Sequence, residues 1–367
     1  MSSTKRGYAR YVSSREAPLT HDRALQAKQL IAHLRSEIDA VMAPITKELS
    51  QLILLDFPNH ANVGDSAIWL GELEYFAAAH GKRPAFVCVK DHCSWDTLAR
   101  LMTDAPIFLH GGGNFGDLWP GFQSFREAVL ERFPGHPVVQ LPQTIHFEDS
   151  TALRRTAESI RRHGNFVLLV RDRESLDLAR KSFDCAVHLC PDMAFYLQDT
   201  PRPCEPTRDL LFLLRNDRER ADGRHDFAPP DIERSAVQDW LDEDPRLFDR
   251  FRRRTALGSL LRLGHGLPNK TILRQILYRN LAEHRLSRGL TLLSSSRYII
   301  TDRLHAHILS LFLGIPHVAL DNSYGKVSHY IEQWTGDCDI VRTARTIEAG
   351  IEIWRRDTSM PIRSDPR

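Results

Sequence analysis

Several things are missing from this sequence. There is no excess of one charge: 49 Lys and Arg face 47 Asp and Glu, a formal net charge of +2 over 367 residues. Global charge therefore makes no case for a nucleic-acid partner, and any basic surface has to be local. Paired metal-binding cysteines are missing too. Cys88, Cys93, Cys185, Cys190, Cys204 and Cys338 form no C-x-x-C pair, and neither C-x4-C spacing is joined to the second cluster a zinc site needs. They read as reduced thiols of a cytoplasmic protein, with no metal implied. No run of 18 apolar residues occurs. The longest, 306–320, contains His307, Ser310 and His317 and is interrupted by Gly314-Ile315-Pro316, so it reads as a buried helix plus a strand rather than a membrane span. The polar first 17 residues lack the apolar stretch of a secretory signal.

What is present is the composition of a globular protein, 42% hydrophobic and 26% charged, long enough for two domains. After a loose tail, 21–45 has the apolar spacing of an amphipathic helix. Short apolar runs at 52–55, 85–89, 106–109, 137–141, 166–170 and 186–189 then alternate with helical segments at 65–80, 122–133, 151–163 and 175–182. Buried strands alternating with helices predict a parallel sheet covered on both faces, with ligands beyond the carboxyl ends of its strands. A proline-rich linker at 199–207 precedes a strand at 209–214. The alternation then fails: 217–249 is rich in acids, and 250–279 holds eight Lys or Arg and no acid. It resumes with helices at 281–295, 304–313, 326–334 and 346–355 and strands at 298–301 and 317–320, and no internal repeat is visible. The expected organisation is a tail and helix (1–50), an N-terminal domain (51–200), a C-terminal domain (208–345) carrying a charged insertion (217–279), and a final helix and tail (346–367).

Five motifs lie at strand ends. Asn62-Val63-Gly64-Asp65 opens a helix, so Asp65 is read either as its cap or as a catalytic base. Gly111-Gly112-Gly113-Asn114 follows His110 and lets backbone approach a ligand or another segment closely. Its spacing is neither that of a dinucleotide fingerprint nor that of a P-loop. Arg171 directly follows an apolar strand and offers a bidentate fork to carboxylate or phosphate, against a plain reading as a solvated helix start. Asp302-Arg303-Leu304-His305 opens a buried helix, so first-turn N–H groups, a guanidinium and an imidazole converge, a set suited to a small phosphorylated acid. His307, on the apolar face, reads as a satisfied core histidine. Lys326 stands at another helix start, either as a phosphate ligand or as a surface lysine. The expected active site lies where the 110–114 turn faces 302–305.

Taken in order with Leu141-Pro142-Gln143-Thr144, Val170-Arg171-Asp172 and Gly314-Ile315-Pro316, these motifs resemble the polysaccharide pyruvyl transferase family over about 52–334. The resemblance implies two Rossmann-like domains with parallel sheets facing a cleft, as in GT-B glycosyltransferases. It implies phosphoenolpyruvate as donor, no cofactor, and a sugar of an exopolysaccharide or lipid-linked oligosaccharide as acceptor, giving a pyruvate ketal and phosphate. It carries donor binding onto Arg303, the Leu304 backbone, His305 and Arg171. The expected site therefore comprises His305 and Asp65 as catalytic groups. Arg303, Leu304, Arg171, Gly112, Gly113, Asn114, Gln143 and Lys326 are the expected substrate ligands. The rival reading is a glycosyltransferase of the same fold using a nucleotide-sugar donor. Segment 250–279, with Phe and Leu among its Arg residues, further predicts peripheral contact with the anionic inner membrane face. The competing account pairs it with the acidic 217–249 stretch.

Overall fold

The computed structural model describes residues 19–102, 105–217, 232–241, 270–321 and 325–358, with isolated positions between 243 and 253. A long helix, α1 (Leu19–Thr46), leads into β1 (Leu52–Leu55), α2 (Val63–His80), β2 (Pro84–Cys88), α3 (Trp95–Leu101), β3 (Ile107–Leu109) and β4 (Gly112–Gly116). Then come α4 (Pro120–Arg132), β5 (Val138–His146), α5 (Ser150–His163), β6 (Phe166–Val170), α6 (Arg173–Ser182) and β7 (Ala186–Leu189). A second series follows: β8 (Arg208–Leu213), β9 (Ser235–Gln238), α7 (Lys270–Ser294), β10 (Ser296–Thr301), α8 (Leu304–Leu313), β11 (His317–Leu320), α9 (Lys326–Trp334), β12 (Val341–Ala344) and α10 (Ile347–Thr358).

The strands form two sheets with only parallel pairings. The first runs β2-β1-β3-β5-β6-β7 with β4 beside β5, and the second runs β9-β8-β10-β11-β12. Both therefore follow one doubly wound plan, with the first strand of each flanked by its second and third. The strand order reverses between β1 and β3 in one sheet and between β8 and β10 in the other. Such switch points open a crevice at the carboxyl ends of the strands. The residues emerging there are Asp56, His110, Leu214 and Asp302. The shared plan is a repeat of topology that leaves no trace in the sequence.

The sheets are not separate cores. One apolar cluster runs without a break from Leu54 and Trp69 in the first half to Leu213 and Leu309 in the second. Helix α1 joins it through Ala27, Ile31, Leu34, Ile38 and Met42, all buried at helical spacing. Its polar side grips both halves. Arg35 donates to the carbonyls of Phe195 and Leu197, while Gln26 bonds the backbone of Asp337 and Asp339.

Two expectations are corrected. First, β5 does not stop at Leu141 but continues through Pro142-Gln143-Thr144 to His146, and the glycine turn becomes the start of β4 beside it. Pro142 has no N–H for the ladder, and the register slips there, between Gln140 and Gln143. Second, the region 217–279 is not one insertion. Ser235–Gln238 is a half-exposed edge strand of the second sheet, and 270–279 is the first part of α7. Within that start of α7, Tyr278 stacks on Phe57 at 4.3 Å and 5°, while Ile272 is exposed. Apart from Arg253, residues 250–269 lie outside the described residues. No helix among the described residues is long and apolar enough to cross a membrane.

Candidate active site

Both switch points open into one cavity of about 540 Å³. From the first half, Asp56, His60, Asp65 and Asn114 line it; from the second, Arg215, Trp240, Arg303 and His305 do so. Gly113, Leu304 and Arg171 also reach it. The predicted residues are thus largely gathered in one place, but the roles of several change.

The first wall begins with the loop between β1 and α2. Asn62, not Asp65, caps α2: its Oδ1 accepts from the Gly64 N–H at 3.0 Å. That frees Asp65 to face the cavity, where Oδ2 accepts from Asn62 Nδ2 at 2.9 Å and lies 3.5 Å from His60 Nε2. His60 was not expected. The cleft walls lower its pKa, and Asp65 pulls the other way. The loop is held from the second half, because Arg285 donates to the carbonyl of Pro58 and Arg288 to that of Ala61.

Behind this wall the glycine strand is clamped. Buried Glu72 accepts from the Gly111 N–H at 2.8 Å and meets His110 Nδ1 at 2.9 Å. Gln143 is wholly buried and does not reach the cavity. Its amide holds the His110 carbonyl and both the backbone and side chain of Asn114, at 3.1 Å each. Gln143 is thus a positioning residue, not a ligand. Gly112 is likewise set back: at φ 126 it lies against α2, where a Cβ would stand 3.4 Å from Asp65 Oδ1. Only Gly113 and Asn114 of the motif face the cavity.

Arg171 is fully buried. Its Nη1 pairs with Asp192 at 2.5 Å and its Nε donates to Thr144 at 2.9 Å, while Nη2 has no hydrogen-bond partner among the described residues. Asp192 also lies 3.4 Å from His305 Nε2, at a geometry that forms no hydrogen bond. Burial alone would raise the Asp192 pKa, but His305 and Arg171 beside it hold the carboxyl well below the usual range.

The second wall is cationic. Thr301 and Asp302 fix its backbone: Thr301 Oγ1 bonds the Leu213 carbonyl, and Asp302 accepts from the Arg215 N–H. Arg303 pairs with Asp239 at 2.7 Å and Asp217 at 3.4 Å and lies over the Trp240 ring at 5.8 Å. Its Nε and the Trp240 indole N–H have no partner among the described residues. No side chain caps α8, so the Leu304 and His305 end of that helix opens on the cavity. His307 is a core residue, as expected, bonded to His317 at 2.7 Å and Thr335 at 2.9 Å. The side chain of Lys326 lies outside the described residues. The helix start it occupies already has its anion, since the Val327 and Ser328 N–H groups donate to Asp321. Among the described residues no three His, Cys, Asp or Glu side chains come together as a metal site.

Cations, carboxyls and an open helix end thus meet in one crevice at two facing switch points. The chain belongs to the polysaccharide pyruvyl transferase family, whose model matches residues 62–324, and it is an enzyme of that kind. It is 30% identical over 309 residues to Pyruvyl transferase 1 of Schizosaccharomyces pombe, over 80% of this chain and 71% of that one. It is also 30% identical to the Bacillus subtilis protein named "Putative pyruvyl transferase EpsO", over 84% of this chain and 93% of the other. The crystal structure of an uncharacterised Klebsiella pneumoniae protein superposes with a TM-score of 0.54 at 17% identity, over 85% of this chain and 99% of that one. At that identity the likeness shows the fold alone.

Proposed function

We propose that this enzyme takes phosphoenolpyruvate as donor and forms a pyruvate ketal across two hydroxyls of a sugar, releasing phosphate. The observation that carries the reading is a pair of buried guanidinium nitrogens, Arg171 Nη2 and Arg303 Nε, without partners on two walls of one cavity. Buried cationic donors left unpaired are costly, and a carboxylate and a phosphate on one small molecule satisfy them. The open end of α8 adds its Leu304 and His305 N–H groups.

The reaction has a simple balance. One proton reaches the methylene carbon and makes it a methyl. A first hydroxyl attacks the central carbon and loses its proton, phosphate departs, and a second hydroxyl closes the ketal. Two hydroxyl protons are lost; one replaces the proton given to carbon and the other leaves on phosphate. Arg303, Arg171 and His305 bind the donor, and His305 supports the departing phosphate. Asp65, through His60, serves as base for the attacking hydroxyl. Gly113 and Asn114 shape the facing wall. The acceptor is a sugar of an exopolysaccharide or lipid-linked oligosaccharide, met at the cytoplasmic membrane face, where the basic 250–279 segment docks. Replacing that Arg cluster with Gln is expected to abolish co-sedimentation with anionic liposomes.

Incubation with phosphoenolpyruvate and candidate glycans tests the reading by phosphate release and by the mass gain of one pyruvyl ketal. His305→Ala is expected to lower kcat by about 100-fold or more; full activity at saturating donor would remove His305 from the mechanism. A melting temperature raised by UDP or GDP but not by phosphoenolpyruvate would instead favour a nucleotide-sugar donor.

A further inference from the structure

Asp56 has no part in that scheme, yet its surroundings are unusual. It is the first residue after β1, at the switch point of the first sheet, and it lines the cavity while only 5% exposed. Its backbone is left-handed, at φ 70, a conformation that costs a residue with a side chain and is kept where the surroundings impose it. Its Oδ1 has no hydrogen-bond partner among the described residues. A strained, buried carboxyl with an unused oxygen at a cavity wall is a poor structural element and a good reactive one.

From this geometry we propose that Asp56 is the acid that protonates the methylene carbon of the donor; the inference rests on the phosphoenolpyruvate reading above. Arg303 and His305 of the second half and Arg171 of the first anchor the phosphate and carboxylate, which leaves the uncharged methylene end for the part of the first wall where Asp56 stands. The Asp56 O–H bond breaks as the new C–H bond forms, and the alkene electron pair supplies that bond. The carboxylate left behind is restored by a proton from an attacking hydroxyl.

The groups facing Asp56 fit the role. Burial pushes its pKa up to about 6, against the opposing pull of His110, Arg126 and Lys90 and a hydrogen bond from the Lys90 backbone. His110, the strongest of these charges, is tied through Nδ1 to buried Glu72, with Asp65 acting on it as well, while its Nε2 has no partner among the described residues. With a pKa of about 6 the carboxyl is about one-tenth protonated at pH 7, and a bound anionic donor raises that fraction.

Asp56→Asn tests this, because asparagine tolerates the left-handed backbone. The assay is phosphate release from phosphoenolpyruvate with a panel of p-nitrophenyl hexopyranosides. The variant is expected to lose about 100-fold or more in kcat, with donor KM changed less than about threefold. The wild-type kcat is expected to fall with alkaline pH above an apparent pKa at or above about 6, and the variant's residual rate to lack that limb. Asp56→Gly, which also suits φ 70, is expected to show the same loss and guards against a folding defect. A variant kcat within threefold of wild type, or an alkaline limb that survives the substitution, overturns the assignment of Asp56 alone. No phosphate release by the wild type with any acceptor overturns the donor reading, and this inference with it.

Discussion

Asp56 and Asp192 are both aspartates just past parallel strands of one sheet, and they are 5% and 1% exposed. Burial pushes both pKa values up, yet one settles at about 6 and the other far below the usual range. Partners make the difference. Asp192 touches Arg171 at 2.5 Å, lies 3.4 Å from His305, and caps a short 3-10 turn through the Ala194 N–H. Asp56 has its cations at longer range and leaves one oxygen unpartnered among the described residues. A buried carboxyl is therefore structural or reactive according to what touches it, not how deep it lies. Where environments drive two like groups apart, the acid and the permanently charged anchor separate.

The largest expected effect attacks the paired member. Asp192→Ala leaves the Arg171 guanidinium buried and uncompensated, which costs about 3–5 kcal/mol. Urea unfolding at pH 7 is the measurement, and a loss under 1 kcal/mol would mean that water or a rearranged side chain replaces the carboxylate. Because the folded Asp192 pKa is depressed, its stabilisation is complete above the unfolded value of 3.8 and disappears as pH falls below it.

The second effect has the opposite sign. A carboxyl moved from 3.8 to about 6 makes the folded state the better proton binder, so stability falls as pH rises through that window. Above it the cost is about 3 kcal/mol at most. Asp56→Asn removes that slope and is expected to be more stable than wild type at pH 8, with the advantage absent below pH 4. An inactive but stabilised variant marks a reactive group; a variant destabilised at every pH would make Asp56 structural and erase the contrast with Asp192.

The sequence shows one side of this contrast better than the other. The apolar runs and glycine stops place most elements within a few residues, because buried parallel strands and amphipathic helices write themselves as patterns. The edge strand Ser235–Gln238 does not: half exposed and set among acids, it has neither the apolar run nor a strict alternation. Arg303 and His305 are legible because a helix start with cations is a local motif. Asp56, His60, Asp192 and Trp240 are not, since their meaning comes from neighbours far along the chain. The unusual φ at Asp56 leaves no mark on residue type. Gln143 shows the converse, a motif residue whose amide serves the glycine strand rather than the cavity.

Gly64 carries the smallest of the expected effects, and it tests whether the two walls must meet so closely. It lies in the first turn of α2, where a Cβ would stand 2.5 Å from His305 Nδ1 and 2.8 Å from the His305 Cβ. The histidine is only 8% exposed and has little room to withdraw, since Asp192 lies on its other nitrogen. Gly64→Ala therefore forces either the ring or the start of α2 to move, at a cost of about 1–3 kcal/mol. Better helix propensity returns up to about 1 kcal/mol of this, so the net loss of stability is small. The kinetic consequence is the larger one. A ring displaced from Asp192 no longer faces the donor, and kcat is expected to fall about tenfold or more while the fold persists. Unchanged kcat would show that His305 works from more than one position, and the close contact at Gly64 would then be a matter of packing alone.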